Sequence, residues 1–224
     1  MELIKFEEYI KRYNSPLVVT IGSFDGIHLG HKELISKTVS RSKELDVKSA
    51  VITFDPHPLT VVSNSKHTYI TSIIDKAKLI SDFGIDYLIV IQFDKQFSTI
   101  SKKEFVLNYL RAINTFEVIV GSDFSFGYKG EGKAEEITAL SDYTIKTLII
   151  DLIKYDNEKI GSRNIIQLLQ NGEIEKANQF LSKNFVIKST VIEGAKLGRE
   201  LGFPTATTNI SACLVKSDKF LVFE

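Results

Sequence analysis

The stretch Leu17-Val18-Val19-Thr20-Ile21-Gly22-Ser23-Phe24-Asp25-Gly26-Ile27-His28-Leu29-Gly30-His31 decides the fold. Its first five residues are apolar or β-branched and read as a strand, and the residues from His31 to Leu45 place Leu34, Ile35, Thr38, Val39 and Ser42 at helical spacing. A strand therefore hands over to a helix through a turn carrying three glycines and two histidines. The glycines let a backbone approach a ligand without Cβ clashes, and a helix starting near Gly30 aims its unpaired N–H groups and positive dipole end at that ligand. Two imidazoles three residues apart can face the same anion. The H-x-G-H arrangement is neither the G-x-G-x-x-G of a dinucleotide fold nor a P-loop, which needs a lysine and a hydroxyl. It points to nucleotidyl transfer.

Working outward, Ser49 to Phe54 returns to an apolar β-branched run, so the unit is β-α-β. Ser72 followed by Asp75 caps a second helix carrying Ile73, Ile74, Ala77, Leu79 and Ile80, which Gly84 ends. Tyr87 to Gln92 is a strand, Ser101 to Glu104 a capping box, Glu117 to Val120 another strand and Thr144 to Ile153 a longer one. Strands apolar along their whole length, alternating with helices, imply an α/β fold with a parallel sheet covered on both faces. Such a sheet binds ligands at the carboxyl ends of its strands. The candidate residues fall there: Thr53 to Pro58 after the second strand of the unit, Phe93 and Asp94 after the next, and Gly121 to Gly127 after the fourth. Phe54, Phe124 and Phe126 offer flat apolar faces beside polar groups, as a planar ring requires.

Bulk composition narrows the function. The chain has 224 residues, 43% of them apolar, and its 28 basic residues balance 28 acidic ones. There is no overall field to gather nucleic acid or anionic lipid, so any phosphate is held locally. One cysteine, Cys213, makes neither an internal disulfide nor a cysteine-based zinc site, and no third His or Cys accompanies the histidine pair, so no metal ligand is assigned. No apolar run approaches the roughly 20 residues that span a bilayer, and Met-Glu-Leu-Ile-Lys lacks a signal-peptide core. The expected location is cytoplasmic, without a membrane or nucleic-acid partner.

Several motifs in order resemble those of the bacterial bifunctional riboflavin kinase/FMN adenylyltransferase family. Gly22 to His31 fits G-x-F-D-G-x-H-x-G-H, Thr53 to Pro58 fits T-F-x-P-H-P, and Gly121 to Gly127 fits G-x-D-F-x-F-G. The helix pair around Gly172 fits the segment closing the adenylyltransferase domain. The resemblance implies a Rossmann-like nucleotidyltransferase domain over 1–183, in which AMP passes from ATP to FMN, with Mg²⁺ present, to give FAD and pyrophosphate. It implies that His28 and His31 hold the triphosphate, that Gly22, Ser23, Phe24, Gly26 and Gly30 shape its cradle, and that Phe54, Pro56, His57, Pro58, Asp123, Phe124 and Phe126 line the flavin pocket.

The family's I-S-S-T-x-I-R signature is altered here to Ile160-Gly161-Ser162-Arg163-Asn164-Ile165-Ile166. Ile166 stands where the family has arginine, and Arg163, three residues earlier on the same helix face, is expected to reach the same phosphates beside Ser162. Residues 184–224 resemble the start of the riboflavin kinase β-barrel, with Gly198, Arg199, Pro204 and Thr205 as its motif remnant, yet only 15 residues follow Asn209. A partial barrel without kinase activity is the expectation. Two other readings stay open: a flavin- or nucleotide-binding protein that has lost catalysis, and an H-x-G-H nucleotidyltransferase with another acceptor.

Overall fold

Six strands form one all-parallel sheet in a computed structural model that describes residues 1–63, 68–151, 154–155, 158–181, 183–186, 191–192 and 207–208. In chain order its elements begin β1 (Glu2–Lys5), α1 (Phe6–Arg12), β2 (Leu17–Ile21), α2 (Leu29–Glu44), β3 (Lys48–Asp55), α3 (Pro58–Val62), α4 (Ile73–Ser81) and β4 (Tyr87–Gln92). They continue with α5 (Lys102–Phe105), extended by a π-helical turn over Val106–Leu110, then β5 (Thr115–Gly121), the two-residue pair β6 (Ser125–Phe126) and β7 (Gly132–Lys133), α6 (Ile137–Leu140) and β8 (Lys146–Ile150). After two short paired strands, β9 (Lys154–Tyr155) and β10 (Glu158–Lys159), come α7 (Ser162–Asn171) and α8 (Ile174–Leu181). The last described pair is antiparallel, β11 (Val191–Ile192) with β12 (Thr207–Thr208). Gly198, Arg199, Pro204 and Thr205 lie outside the described residues.

Sheet order is β1-β4-β3-β2-β5-β8. The chain leaves β2 toward β3 on one side and returns on the other side as β5, so strand order reverses at β2. A crevice opens at the carboxyl ends of strands where order reverses. All five residues of β2 are buried, which is why that strand is apolar or β-branched at every position instead of every second one. Each such Val, Leu or Ile side chain contributes about 1.5–3 kcal/mol by leaving water.

The helices close where their sequences say. Ser72 accepts the Asp75 amide, Ser101 and Glu104 complete a reciprocal box, and α7 ends on Gly172 at φ 77°, a left-handed turn that glycine takes without strain. Helix α2 buries Ile35, Thr38, Val39 and Ser42 and is pinned to β5 by Arg41, whose guanidinium meets the Glu117 carboxylate at 2.9 Å. Glu117 is buried, so removing Arg41 leaves a carboxylate stranded in the sheet, whereas Arg41 is partly exposed and keeps Glu44 as a second partner. Helix α4 corrects the sequence reading of its face. Ile80 is buried as expected, but Ile74 is exposed and Lys76 takes an inward position.

Candidate functional site

A cleft of about 600 Å³ lies over the carboxyl ends of β2, β3, β5 and β8. Its walls are the bend after β2 (Gly22, Ser23, Phe24, His28, Gly30 and His31), His57 and Pro58 before and at the start of α3, the loop Gly121 to Ser125, and the entrance to α7 from Ile160 to Asn164. Gly22, Ser23, Phe24, Gly30, His28, His31, Phe54, His57, Pro58, Asp123, Phe124, Ser162 and Arg163 are thus brought together from four separate segments. Three expected residues are not: Phe126 lines an adjoining cavity, and Gly26 and Pro56 line neither. Gly26, at φ 82°, turns away from the cleft, and a side chain there would meet Ile70 and Leu181. Pro56 is exposed and borders neither cavity of the site.

The bend turns inward at residue 26 because Asp25 anchors it. The Asp25 carboxylate is buried and accepts the amides of Ile70 and Thr71 and the Thr71 hydroxyl at 2.9–3.0 Å, while the Gly26 amide donates to that hydroxyl oxygen at 3.1 Å. Ser162 ties α7 to the same bend, its hydroxyl donating to the Asp25 carbonyl at 2.9 Å. That single donor is therefore spent, and Ser162 offers the cleft acceptor lone pairs and its backbone N–H instead of a hydroxyl donor. Sequence reading missed the role of Asp25, since its partners lie 45 and 46 residues away.

His28 is the N-cap of α2: its Nδ1 accepts the His31 amide at 3.3 Å. The ring proton must therefore sit on Nε2. The two imidazoles stack, centroids 3.6 Å apart and planes within 18°, with the Phe24 ring 5.0 Å from that of His31. Burial pushes His28 down to about 4, against the pull of Asp123. Burial, His28 and then Lys76 hold His31 well below the ordinary imidazole range. Both are neutral near pH 7 and present N–H donors without an imidazolium. Neither α2 nor α7 has an acidic residue in its first turn, and no side chain caps α7 at Gly161. Two helix dipoles therefore point their positive ends at one space, the arrangement that attracts phosphate.

The cleft's formal charges are set by Glu33, Asp123 and Asp151 on one side of the ledger and by Arg163 on the other; Arg163 is the one Lys or Arg among the described lining residues. Ile166 instead faces the apolar cluster of Ile70, Ile165, Leu169 and Phe180. Adjoining the cleft, and sharing Phe54, Pro58, Phe124 and Ser125 with it, is a second cavity of about 520 Å³. Phe93, Phe97, Ile100, Phe105, Phe126, Leu59 and Val62 give it a mainly apolar wall, and Ser98, Gly127, Lys129 and Gly130 complete the lining. Phe124 and Phe126 stack at 5.7 Å and 22°. Phe126 therefore belongs to the apolar annex and not to the polar cleft; of the phenylalanines after β4, Phe93 was among the sequence candidates and Phe97 was not singled out.

Residues 10–164 match the family model described as FAD synthetase, and residues 181–222 match the one described as riboflavin kinase. The chain belongs to the FAD synthetase family. It is 40% identical over 196 residues to a bifunctional riboflavin kinase/FMN adenylyltransferase of Listeria monocytogenes, covering 87% of this chain and 62% of that protein. A Bacillus subtilis protein of the same description is 34% identical over 204 residues, covering 90% and 65%. This member of the family thus spans somewhat under two thirds of the length of those two relatives. A shorter Listeria monocytogenes protein, described as FAD synthetase, is 29% identical over 187 residues, covering 81% of this chain and 74% of its own. Among solved structures, one titled as a macrolide-efflux protein from Streptococcus pneumoniae superposes with a TM-score of 0.84 at 25% identity, over 96% of this chain and 71% of that one. Pantothenate synthetase from Thermus thermophilus shares the fold at a TM-score of 0.52 and 11% identity, over 81% of each chain.

Burial of the histidine pair has a consequence for stability. A native His28 near 4 and an unfolded histidine near 6.5 mean that the unfolded chain takes up the proton first as pH falls. The His28 contribution is fully present above about 6.5 and is lost on the way down to about 4. That loss amounts to about 2 kcal/mol between pH 7 and pH 5, above most carboxylate titration. The expected result is that the difference in melting temperature between wild type and His28→Asn shrinks, or reverses, from pH 7 to pH 5. A difference constant with pH refutes the burial argument.

Proposed function

We propose that the protein transfers AMP from ATP to the phosphate of FMN, giving FAD and pyrophosphate, through a domain spanning residues 1–183. The observation that carries this reading is a neutral, stacked imidazole pair at a helix start, in a cleft that opens directly into a phenylalanine-walled cavity. Family membership supports it. The triphosphate lies on the bend, against Gly22, Ser23, Phe24 and Gly30, with His28 and His31 beside it and Arg163 at the entrance to α7. The flavin ring enters the apolar annex between Phe54, Pro58, Phe124 and Phe126, with His57 and Asp123 on the cleft side of that opening.

The reaction forms a bond from an FMN phosphate oxygen to the α-phosphorus and breaks the bond to the bridging oxygen, which leaves with pyrophosphate. Such displacements need position and charge stabilisation more than proton transfer. His28 Nε2–H donates to an oxygen on which negative charge grows, and the α2 and α7 dipoles act on the same oxygens. No covalent enzyme intermediate is involved. Among the described residues no group of three or more His, Cys, Asp or Glu forms a metal cage. Mg²⁺, which is retained mainly by substrate phosphates, water and one or two carboxylates, fits that donor set, with Asp123 and Asp151, two of the three cleft carboxylates, as the residues that would hold it. Bound with the nucleotide, it supplies Lewis-acid neutralisation of phosphate charge.

The test is incubation of the protein with ATP, FMN and Mg²⁺, followed by chromatography for FAD and a pyrophosphate assay. Stoichiometric FAD and pyrophosphate are expected. Tight binding of both substrates without product identifies a binding protein, and absence of FMN binding identifies a transferase with a different acceptor.

A further inference from the structure

One charge beneath the bend takes no part in the reading above. Lys76, on α4, is 6% exposed, and its ammonium donates to the Ser23 carbonyl and, at 3.2 Å, to the Thr53 hydroxyl. Thr53, itself fully buried, donates in turn to the same Ser23 carbonyl at 3.2 Å. Three groups from β3, α4 and the bend thus close a small polar triangle in an otherwise apolar layer. Its interest lies in the peptide it holds. The Ser23–Phe24 bond is trans, and in a planar trans peptide the C=O and N–H point opposite ways. Drawing the Ser23 carbonyl inward therefore turns the Phe24 N–H outward, on the segment that walls the cleft. Phe24 keeps a positive φ of 47°, a conformation that a phenylalanine adopts only when its surroundings enforce it.

We propose that Lys76 is a positioning residue for the nucleotide: its ammonium fixes the Ser23–Phe24 peptide so that the Phe24 N–H faces the triphosphate, and places a positive charge behind that anion. The proposal rests on the nucleotide reading of the cleft. Burial makes this cation costly, because it lowers the affinity of Lys76 for its proton while only the carboxylates of Asp25 and Asp55 oppose that effect. No carboxylate bonds to the ammonium directly; its described acceptors are a carbonyl and a hydroxyl. A methionine of similar length removes that desolvation cost and leaves the Thr53 hydroxyl on the Ser23 carbonyl. A stabilising role and a positioning role thus predict opposite outcomes: the first lowers the melting temperature of Lys76→Met, and the second leaves it unchanged or higher at the expense of nucleotide affinity.

The experiment compares wild type, Lys76→Met and Thr53→Val by calorimetric titration with α,β-methylene-ATP plus Mg²⁺ and, separately, with FMN. Expected is a rise of tenfold or more in the dissociation constant of the ATP analogue for Lys76→Met, with FMN affinity within twofold and no loss of thermal stability. Thr53→Val, which removes one of the two donors on the carbonyl, gives a smaller rise of roughly threefold. A folded Lys76→Met that binds the analogue within twofold of wild type overturns the proposal, as does a variant that loses affinity for both ligands together with its stability. Should Lys76→Met not fold, an unchanged Thr53→Val overturns it equally. Wild-type protein that does not bind the analogue at all sinks the nucleotide reading itself, a result separable from any effect of the variants.

Discussion

Replacing His28 with alanine is expected to lower the rate of FAD formation by about 10²- to 10³-fold, the effect of losing one donor aimed at developing charge. The Michaelis constant for FMN should change little, because the apolar annex is walled by phenylalanines, Pro58, Leu59 and Val62 and does not include His28. Alanine also removes the N-cap of α2, which costs about 1 kcal/mol of stability. His28→Asn separates the two effects. Asparagine is a strong N-cap whose side-chain oxygen can accept the residue-31 amide as His28 Nδ1 does, but its shorter amide does not reach as far into the cleft as Nε2. If the role of His28 is chemical, His28→Asn melts near wild type and remains slow; if His28 serves chiefly to start the helix, His28→Asn recovers the rate. Steady-state FAD formation alongside thermal melts decides between them.

The same residue shows how much was legible in the chain. Leu17 to His31 could be read as strand, bend and helix because every signal in it is local: β-branched residues, glycines at the turn and a helical period beyond. The caps at Ser72 and Ser101 are equally local, and both form as the spacing implies. Contacts that close over long stretches of chain were illegible. Asp25 looks like any loop carboxylate until Ile70 and Thr71 are folded against it, and Lys76 reads as solvated helix surface until the Ser23 carbonyl lies above it. β1 and α1 were missed for a different reason. A four-residue edge strand with one buried position, followed by a helix of seven residues, carries too little pattern to separate from loop. At the site, motif order placed the phenylalanines of residues 54, 124 and 126 correctly at strand ends. Only packing distinguishes Phe124, which borders both cavities, from Phe126, which borders the annex alone.

Arg163→Ala should raise the Michaelis constant for ATP by about 10- to 100-fold, corresponding to the roughly 1.5–3 kcal/mol of a charge-assisted hydrogen bond, with a much smaller effect on FMN. The argument is one of charge balance. A triphosphate enters a cleft whose described carboxylates are those of Glu33, Asp123 and Asp151 and whose described Lys and Arg side chains come down to Arg163. Even with Mg²⁺, the β- and γ-phosphates need a donor of fixed charge, since His28 and His31 are held neutral by burial. Arg163 stands in the first turn of α7, exposed, beside unpaired helix N–H groups. The position that carries arginine in the family signature is here Ile166, which packs against the Ile70 cluster, so an arginine restored there by Ile166→Arg would have to leave that apolar contact. Arg163→Lys keeps the charge and loses the fork; it should recover part of the affinity, as a point charge does for phosphate. An Arg163→Ala enzyme with wild-type dependence on ATP would mean that the helix termini and the metal suffice for the triphosphate. The change from Arg to Ile at residue 166 would then be without compensation in this chain.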